Sequence, residues 1–423
     1  MNEFPVIIIG GGILGVNLAY QLSLKYDGRQ IAVLEKEDEV ARHTSGRNTG
    51  VIHRPFYLDP VVKKKFASAA QASYYFWQAY AQAKGLPWRQ VGTIEIATTA
   101  DEFDRLKKYK IWSEQNGMHD DEVRVLSAEE TKKIEPNLRC AGALLCTTDT
   151  SVDFAAFTRS LKEDAVRRGV QFITGAAVDR IETKENNWEI FCGQDQRFST
   201  RYLINCAGGR ALALARSMGA ACEYADLNFR GDYWVVEGDS ARLASHNIYS
   251  VPRNPAFPFL DPHYIVRADG RVEIGPTAVP VFGPYAYRGS TGRFLNFAKK
   301  ICEPPLLNKL RLTCQPEFID LCFQEWRSAF SKRALVARVQ KFLPDLRVQD
   351  CVRRGKAGIR SSLVDRRGAF VKEVLEVLGR QSLHILNYNS PGATGSPAYA
   401  AYLVNLLAKK GALDHAAKRP LSS

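Results

Sequence analysis

Apolar residues along the chain come in short runs divided by glycine, and the first run is the most telling. Val6, Ile7, Ile8 and Ile9 form an unbroken β-branched stretch, the pattern of a strand buried on both faces, as in a parallel sheet. Glycines follow, and Ile13, Val16, Leu18, Ala19 and Leu22 then recur at helical spacing as far as Leu24. A second apolar run, Ile31, Ala32, Val33 and Leu34, stops at Glu35. Strand, helix and strand make one βαβ unit.

The same reading predicts helices at 60–84, 100–116 and 154–168, and a short one at 127–134 that opens with Ser127 and Glu130 in capping-box spacing. Strands are expected at 91–97, 170–173, 178–183, 188–192 and 197–199, with the last three forming an antiparallel meander. Another strand at 202–206 runs into Ala207-Gly208-Gly209 ahead of a helix at 211–218. Residues 221–284 read as strand-rich and 295–329 as mostly helical, and α/β character returns at 353–359, 383–386 and in a helix at 398–407. A discontinuous nucleotide-binding domain is therefore expected from 1–90, 150–218 and 346–423. Residues 91–149 and 219–345 would form a substrate domain.

Composition changes this picture little. With 423 residues, 45% hydrophobic and 24% charged, the chain is long enough for two or three globular domains. Charge is more distinctive: net +13 and a pI near 9.3, spread along the sequence with only short clusters such as Lys63-Lys64-Lys65 and Arg353-Arg354. Such a dispersed excess is first of all a solvated surface. As a functional field it would draw in a small anionic substrate, or hold the protein peripherally against the acidic inner face of a membrane. No nucleic-acid-binding motif accompanies it, so no nucleic-acid partner is expected. The nine cysteines, odd in number and without a CxxC pair, argue against a disulfide framework or a zinc site and fit a reducing cytoplasm; no metal is expected. The N-terminus has no basic segment before its apolar run, and no run of 18 apolar residues occurs, so neither a signal peptide nor a membrane span is expected.

Chemistry concentrates at the glycines. Gly10, Gly12 and Gly15 form a GxGxxG pattern between strand and helix, and Glu35 closes the next strand twenty residues after Gly15. In that context the pattern is a dinucleotide fingerprint: a tight turn at Gly10, close pyrophosphate approach at Gly12, helix-to-strand packing at Gly15 and a carboxylate for ribose hydroxyls at Glu35. By itself the fingerprint serves NAD as well as FAD. A polar, glycine-punctuated loop follows at 42–53, Arg42-His43-Thr44-Ser45-Gly46-Arg47-Asn48-Thr49-Gly50-Val51-Ile52-His53, where the chain would pass along a flavin.

Leu34-Glu35-Lys36-Glu37, that loop with its Gly-Val-Ile-His end, Phe229-Arg230-Gly231-Asp232-Tyr233, Gly275-Pro276-Thr277-Ala278-Val279, Ala357-Gly358-Ile359-Arg360 and the stretch 387–391 carry a resemblance running nearly end to end. The sequence resembles the D-amino acid oxidase superfamily of flavoproteins, and within it the L-2-hydroxyglutarate dehydrogenase and oxidase family. The resemblance implies an α/β fold with a Rossmann-like, glutathione-reductase-like FAD-binding domain and a discontinuous α+β substrate domain built on an antiparallel sheet. It also implies non-covalent FAD, held by Gly10, Gly12, Ile13, Leu14, Gly15, Glu35, Lys36, Thr44, Ser45, Arg47, Asn48, Val178, Ala207, Gly208, Arg360, Gly392, Ala393 and Thr394. A covalent tether through His43, known in other superfamily members, is not a feature of the resembled family.

The implied reaction is oxidation of a small 2-hydroxy acid, with 2-hydroxyglutarate in front, by hydride transfer to flavin N5 and onward to oxygen or a quinone. His53 is expected as the base, because an imidazole accepts and releases protons near neutrality. Arg230, Arg360 and Arg47, in that order, are candidates to clamp a carboxylate through paired hydrogen bonds, and Tyr57, Tyr233 and Tyr249 could offer a phenol. A glycine-rich loop ending at Gly395 is expected to aim a helix N-terminus at the flavin. Two rival readings remain open: oxidation of an amino acid or amine such as glycine, proline or sarcosine, and a non-catalytic flavin-binding electron-transfer subunit. The chain leaves the family pattern at Arg54-Pro55-Phe56-Tyr57 and within 387–395, both expected beside the flavin where substrate identity is set.

Overall fold

In a computed structural model, which describes residues 2–193, 195–252, 257, 259, 261–287 and 300–419, the strand Asn2–Ile9 lies near the middle of an eight-stranded sheet. Parallel neighbours flank it: Ile31–Leu34, with Gln171–Ile173 beyond, on one side and Gln196–Asn205 on the other. Ile7 and Ile8 are fully buried, which is why the run is apolar on both faces. Val178–Lys184 and Asn187–Cys192 extend the sheet antiparallel, and the hairpin Leu375–Gly379 with Ser382–Leu386 joins the end of Gln196–Asn205. The expected break at 200–201 is absent, so 197–199 and 202–206 form one strand. Thr200 is fully buried there with its hydroxyl donated within the sheet, to Pro5 O at 3.1 Å, so a polar residue did not mean a loop.

Helix Ile13–Lys25 crosses back over this sheet, helix Gly392–Lys409 packs against that helix, and helix Lys64–Lys84 packs against Gly392–Lys409. The last of these starts at Lys64 rather than at residue 60, because the Asp59 side chain accepts from the amides of Val61 and Val62 and forms a turn first. Helix Gly392–Lys409 begins six residues ahead of the expected start at 398. Pro397 inside it lacks an N–H, and Ser396 Oγ donates to the carbonyl of Ala393 at 2.9 Å, the acceptor that the proline leaves without its helical partner.

A second eight-stranded sheet runs in the order Cys351–Arg354, Trp234–Val236, Val272–Gly275, His263–Val266, Asn247–Ser250, Thr93–Ala97, Gly142–Cys146, Val123–Ser127. All its pairings are antiparallel except that of Asn247–Ser250 with Thr93–Ala97. The expected strand 353–359 divides here: Cys351–Arg354 edges this sheet, whereas Gly358–Val364 pairs with Ala225–Gly231 in a three-stranded sheet. Helix Ala128–Ile134 opens with the Ser127 and Glu130 capping box as expected. The helical stretch resolves into Leu306–Thr313 and Pro316–Phe330, followed by Lys332–Val339; residues 295–299 lie outside the described part. This is an α/β molecule in which the turns after the parallel strands and the face of the three-stranded sheet look onto one cavity.

Candidate active site

At its dinucleotide end the cavity is built by local geometry. Gly10 has φ +108°, and a Cβ there would sit 2.5 Å from the carbonyl of Cys206, so only glycine makes this turn. A Cβ on Gly15 would stand 2.0 Å from Gly10 O; the helix can approach the strand only without a side chain. Glu35 at the end of its strand reaches back, Oε2 accepting from Gly11 N at 2.7 Å and Oε1 from Glu37 N at 2.9 Å. Helix Ile13–Lys25 starts at Gly12 with no side-chain cap and no acid in its first turn, and Ile13 N donates to Ser45 Oγ at 2.9 Å. The loop that supplies Ser45 holds itself in place. Asn48 Nδ2 donates to the carbonyls of Thr44 and Ser45, and Thr44 Oγ1 donates to Ile359 O at 3.0 Å.

At the other end, His53 follows the short strand Val51–Ile52 and is buried. Its backbone N–H donates to Thr394 Oγ1 at 3.1 Å, which ties it to the first turn of helix Gly392–Lys409. Its Nδ1 meets Asp149 Oδ2 at 2.9 Å, and Asp149 is wholly buried, also accepting from Thr93 Oγ1 at 2.7 Å and from Arg54 N at 2.7 Å. A carboxylate so held fixes the Nδ1–H tautomer and leaves the Nε2 lone pair free to accept a proton. Tyr249 Oη lies 3.4 Å from that Nε2. Burial, with Asp149 nearby, raises the Tyr249 phenol well above its ordinary pKa, so it remains a donor at neutral pH. Arg360, Tyr233, Tyr249 and His263 share the cavity wall with His53. Burial lowers the Arg360 pKa from its ordinary value, against the opposing pull of Tyr57 and Tyr233.

Most expected residues line this cavity: Gly10, Gly12, Ile13, Leu14, Glu35, Lys36, Thr44, Ser45, Arg47, Asn48, Val178, Ala207, Gly208, Ala393 and Thr394, together with His53 and Arg360. Four stand back from it. Gly15 acts through the packing just described. Gly392 is covered by the Tyr388 ring, which a Cβ would meet at 2.9 Å. Tyr57 stands behind His53, edge-on with ring centroids 5.9 Å apart.

Arg230 is the main correction. It is buried, gripping Asp232 through two contacts of 3.0 Å and donating to Tyr287 O at 2.7 Å. Phe229 and Gly231 on either side face the cavity, and strand alternation turns Arg230 away from it. The glycine-rich segment is corrected as well: Gly392 to Gly395 are the first turn of the helix and not a loop before it.

A family model described as FAD dependent oxidoreductase, DAO, matches residues 5–406. The chain belongs to the DAO family of FAD-dependent oxidoreductases. It is 30% identical over 421 residues to the mitochondrial L-2-hydroxyglutarate dehydrogenase of Homo sapiens, covering 96% of this chain and 88% of that protein. The Mus musculus counterpart is 32% identical, with 92% and 85% covered. The L-2-hydroxyglutarate dehydrogenase of Escherichia coli (strain K12) is 28% identical, with 95% and 92% covered. Among solved structures, the dithionite-reduced L-alpha-glycerophosphate oxidase of Mycoplasma pneumoniae with FAD bound superposes with a TM-score of 0.74 at 21% identity, covering 100% of this chain and 97% of that one. Glycine oxidase from Geobacillus kaustophilus gives 0.70 at 18% identity, with 97% and 95% covered. These last two establish the fold.

The DAO-family cavity fits its cofactor on the chemistry of its lining. Glu35 offers carboxylate oxygens for ribose hydroxyls, and the uncapped N-terminus at Gly12 and Ile13 offers positive dipole for a pyrophosphate. A second uncapped helix start, at Pro391, brings Ala393 and Thr394 to the wall beside His53. Among the described residues no helix is long and apolar enough to cross a membrane.

The DAO-family resemblance alone did not bring out Asp149 or His263. Asp149 sits 96 residues from His53, with no local signature beyond being an acid among Thr147, Thr148 and Thr150. The Arg230 pairing did leave a sign, since opposite charges two apart on a strand share a face.

Proposed function

We propose that this chain oxidises the hydroxyl-bearing carbon of a small 2-hydroxy acid to the 2-oxo acid, with L-2-hydroxyglutarate the first substrate to test. The observation that carries this reading is the buried pair His53 and Asp149, 2.9 Å apart, with Nε2 turned toward Tyr249 and the cavity. A hydroxyl must lose its proton as its carbon is oxidised, and an imidazole held by a carboxylate is a base suited to that task. Relatives named L-2-hydroxyglutarate dehydrogenase, similar over nearly their whole length, support the same substrate class.

In this reading His53 Nε2 takes the hydroxyl proton, and Asp149 stabilises the imidazolium that results. Arg360 pairs with the carboxylate next to the reacting carbon, where a planar guanidinium offers two parallel hydrogen bonds. Tyr249, held as a phenol, donates to the substrate oxygen before oxidation. FAD, when bound, would supply the two-electron acceptor for the carbon-bound hydrogen, by hydride transfer to flavin N5 in this reading. The dispersed positive charge of the chain favours arrival of an anion.

The test is product identity. Purified holoprotein with an artificial electron acceptor should convert L-2-hydroxyglutarate to 2-oxoglutarate, and should form no imine, or hydrolysis product of one, from glycine, proline or sarcosine. Ammonia or imine products from the amines, with no 2-oxo acid from the hydroxy acid, would establish the C–N reading instead.

A further inference from the structure

We propose that His263 receives the distal carboxylate of the substrate, donating a hydrogen bond from Nε2, and so selects dicarboxylic over monocarboxylic 2-hydroxy acids. The inference rests on the 2-hydroxy acid reading and assigns a specificity residue within that site.

His263 opens the strand His263–Val266 in the second eight-stranded sheet, beside Asn247–Ser250, and its side chain lines the cavity. Only 2% of the residue is exposed, and its ring lies against Tyr249 with centroids 3.9 Å apart. Its Nδ1 is buried without a hydrogen-bond partner among the described residues. An orphaned buried N–H is costlier and rarer than an orphaned lone pair. The ring proton therefore belongs on Nε2, the nitrogen available to a group in the cavity. Burial lowers the imidazole pKa well below its ordinary value, and His53 once protonated, Arg338 and Arg360 push it the same way. The ring thus stays neutral, a donor without an acceptor among the described residues, and an anionic ligand supplies one.

Position decides which part of the ligand this is. Both histidines lie against Tyr249, whose ring is 5.5 Å from that of His53 and 3.9 Å from that of His263. In the proposed arrangement a group at His263 lies beyond Tyr249 from the proton acceptor, several bonds away along a short carbon chain. The carboxylate next to the reacting carbon is left to Arg360. A five-carbon diacid presents a second anionic group at that remove, and a five-carbon monoacid presents a methyl.

The experiment compares wild type, His263→Leu and His263→Gln, each confirmed folded by its bound FAD absorbance. Initial rates are measured with L-2-hydroxyglutarate and with L-2-hydroxypentanoate, the same chain without the distal carboxylate. His263→Leu should lower kcat/KM for the diacid by roughly 10- to 150-fold, the range for a hydrogen bond to a charged group, mainly through KM. It should leave the monoacid nearly unchanged, and His263→Gln, which keeps a donor, should restore much of the diacid rate. Equal losses on both acids, or none on the diacid, would overturn the assignment.

A second readout needs no turnover: perturbation of the flavin spectrum by glutarate and by pentanoate. His263→Leu should weaken glutarate alone. If wild type oxidises neither hydroxy acid yet glutarate binding still depends on His263, the proposed reaction falls and the carboxylate site stands. If wild type oxidises the diacid and His263→Leu loses both acids alike, the reaction stands and the site falls.

Discussion

At the residue scale the proposed reaction rests on His53 and the carboxylate behind it. His53→Gln keeps much of the volume and removes the base, so kcat should fall by about 10²- to 10⁴-fold while FAD remains bound. Asp149→Asn leaves the packing and removes the charge that fixes the tautomer. It should cost most of the same factor, read as a fall in kcat larger than any rise in KM, and an unchanged kcat would remove Asp149 from the account. The two arginines separate binding from folding. Arg360→Lys replaces a bidentate partner with a point charge and should raise KM for the acid by roughly 10-fold or more. Arg230→Met removes the main partner of buried Asp232, leaving it only Arg354 at 3.9 Å among its ion pairs in the described residues. It should cost stability, about 3–5 kcal/mol, measured by denaturant unfolding. A KM effect from Arg230→Met without loss of stability would return it to the substrate. His53 was legible in the sequence because it ends a recognisable loop. Asp149 was not, because its meaning arises only when strands 96 residues apart are folded together.

Elements explain which parts of the site the chain could announce. The unit from strand Asn2–Ile9 through helix Ile13–Lys25 to Glu35 is encoded in one contiguous stretch, so Gly10, Gly12, Gly15 and Glu35 were readable from spacing and context. Gly15→Ala tests that unit: its Cβ would lie 2.0 Å from the carbonyl of Gly10. The helix must move, with a stability loss of about 3 kcal/mol and release of FAD on gel filtration; wild-type retention would show that close packing there is not needed. Helix Gly392–Lys409 misled for the opposite reason. Glycines and a proline usually mark a loop, but here Ser396 serves the carbonyl left by Pro397 and Thr394 caps His53. Tertiary partners overrode local preference, as they did at buried Thr200 in the strand Gln196–Asn205.

For the whole molecule, buried titratable groups set opposed pH slopes. His384 is fully buried, and desolvation lowers its pKa from 6.5 to about 4. Between those values the unfolded chain binds more protons, so stability rises with pH across that window and is lost on acidification. Glu95 runs the other way. Burial, with the charge of Asp149 second, raises its carboxyl from 4.5 to about 8, so the folded protein holds the proton and stability falls as pH rises through that interval. Glu95→Gln removes the second slope. Thermal unfolding should show the variant gaining on wild type at pH 8 and gaining little at pH 5; a constant difference would contradict the shift. Neither slope is readable from sequence, because each depends on burial that only the assembled sheets provide.

In the proposed reaction this cavity, with His53 as base, takes electrons from a hydroxy acid rather than from an amine. Anaerobic mixing of the holoprotein with L-2-hydroxyglutarate, followed at the long-wavelength flavin band, tests it most directly. Rapid bleaching by the hydroxy acid is expected, slowed by at least about 10²-fold in His53→Gln, and none by glycine, proline or sarcosine. Bleaching by an amine with none by the hydroxy acid would contradict it.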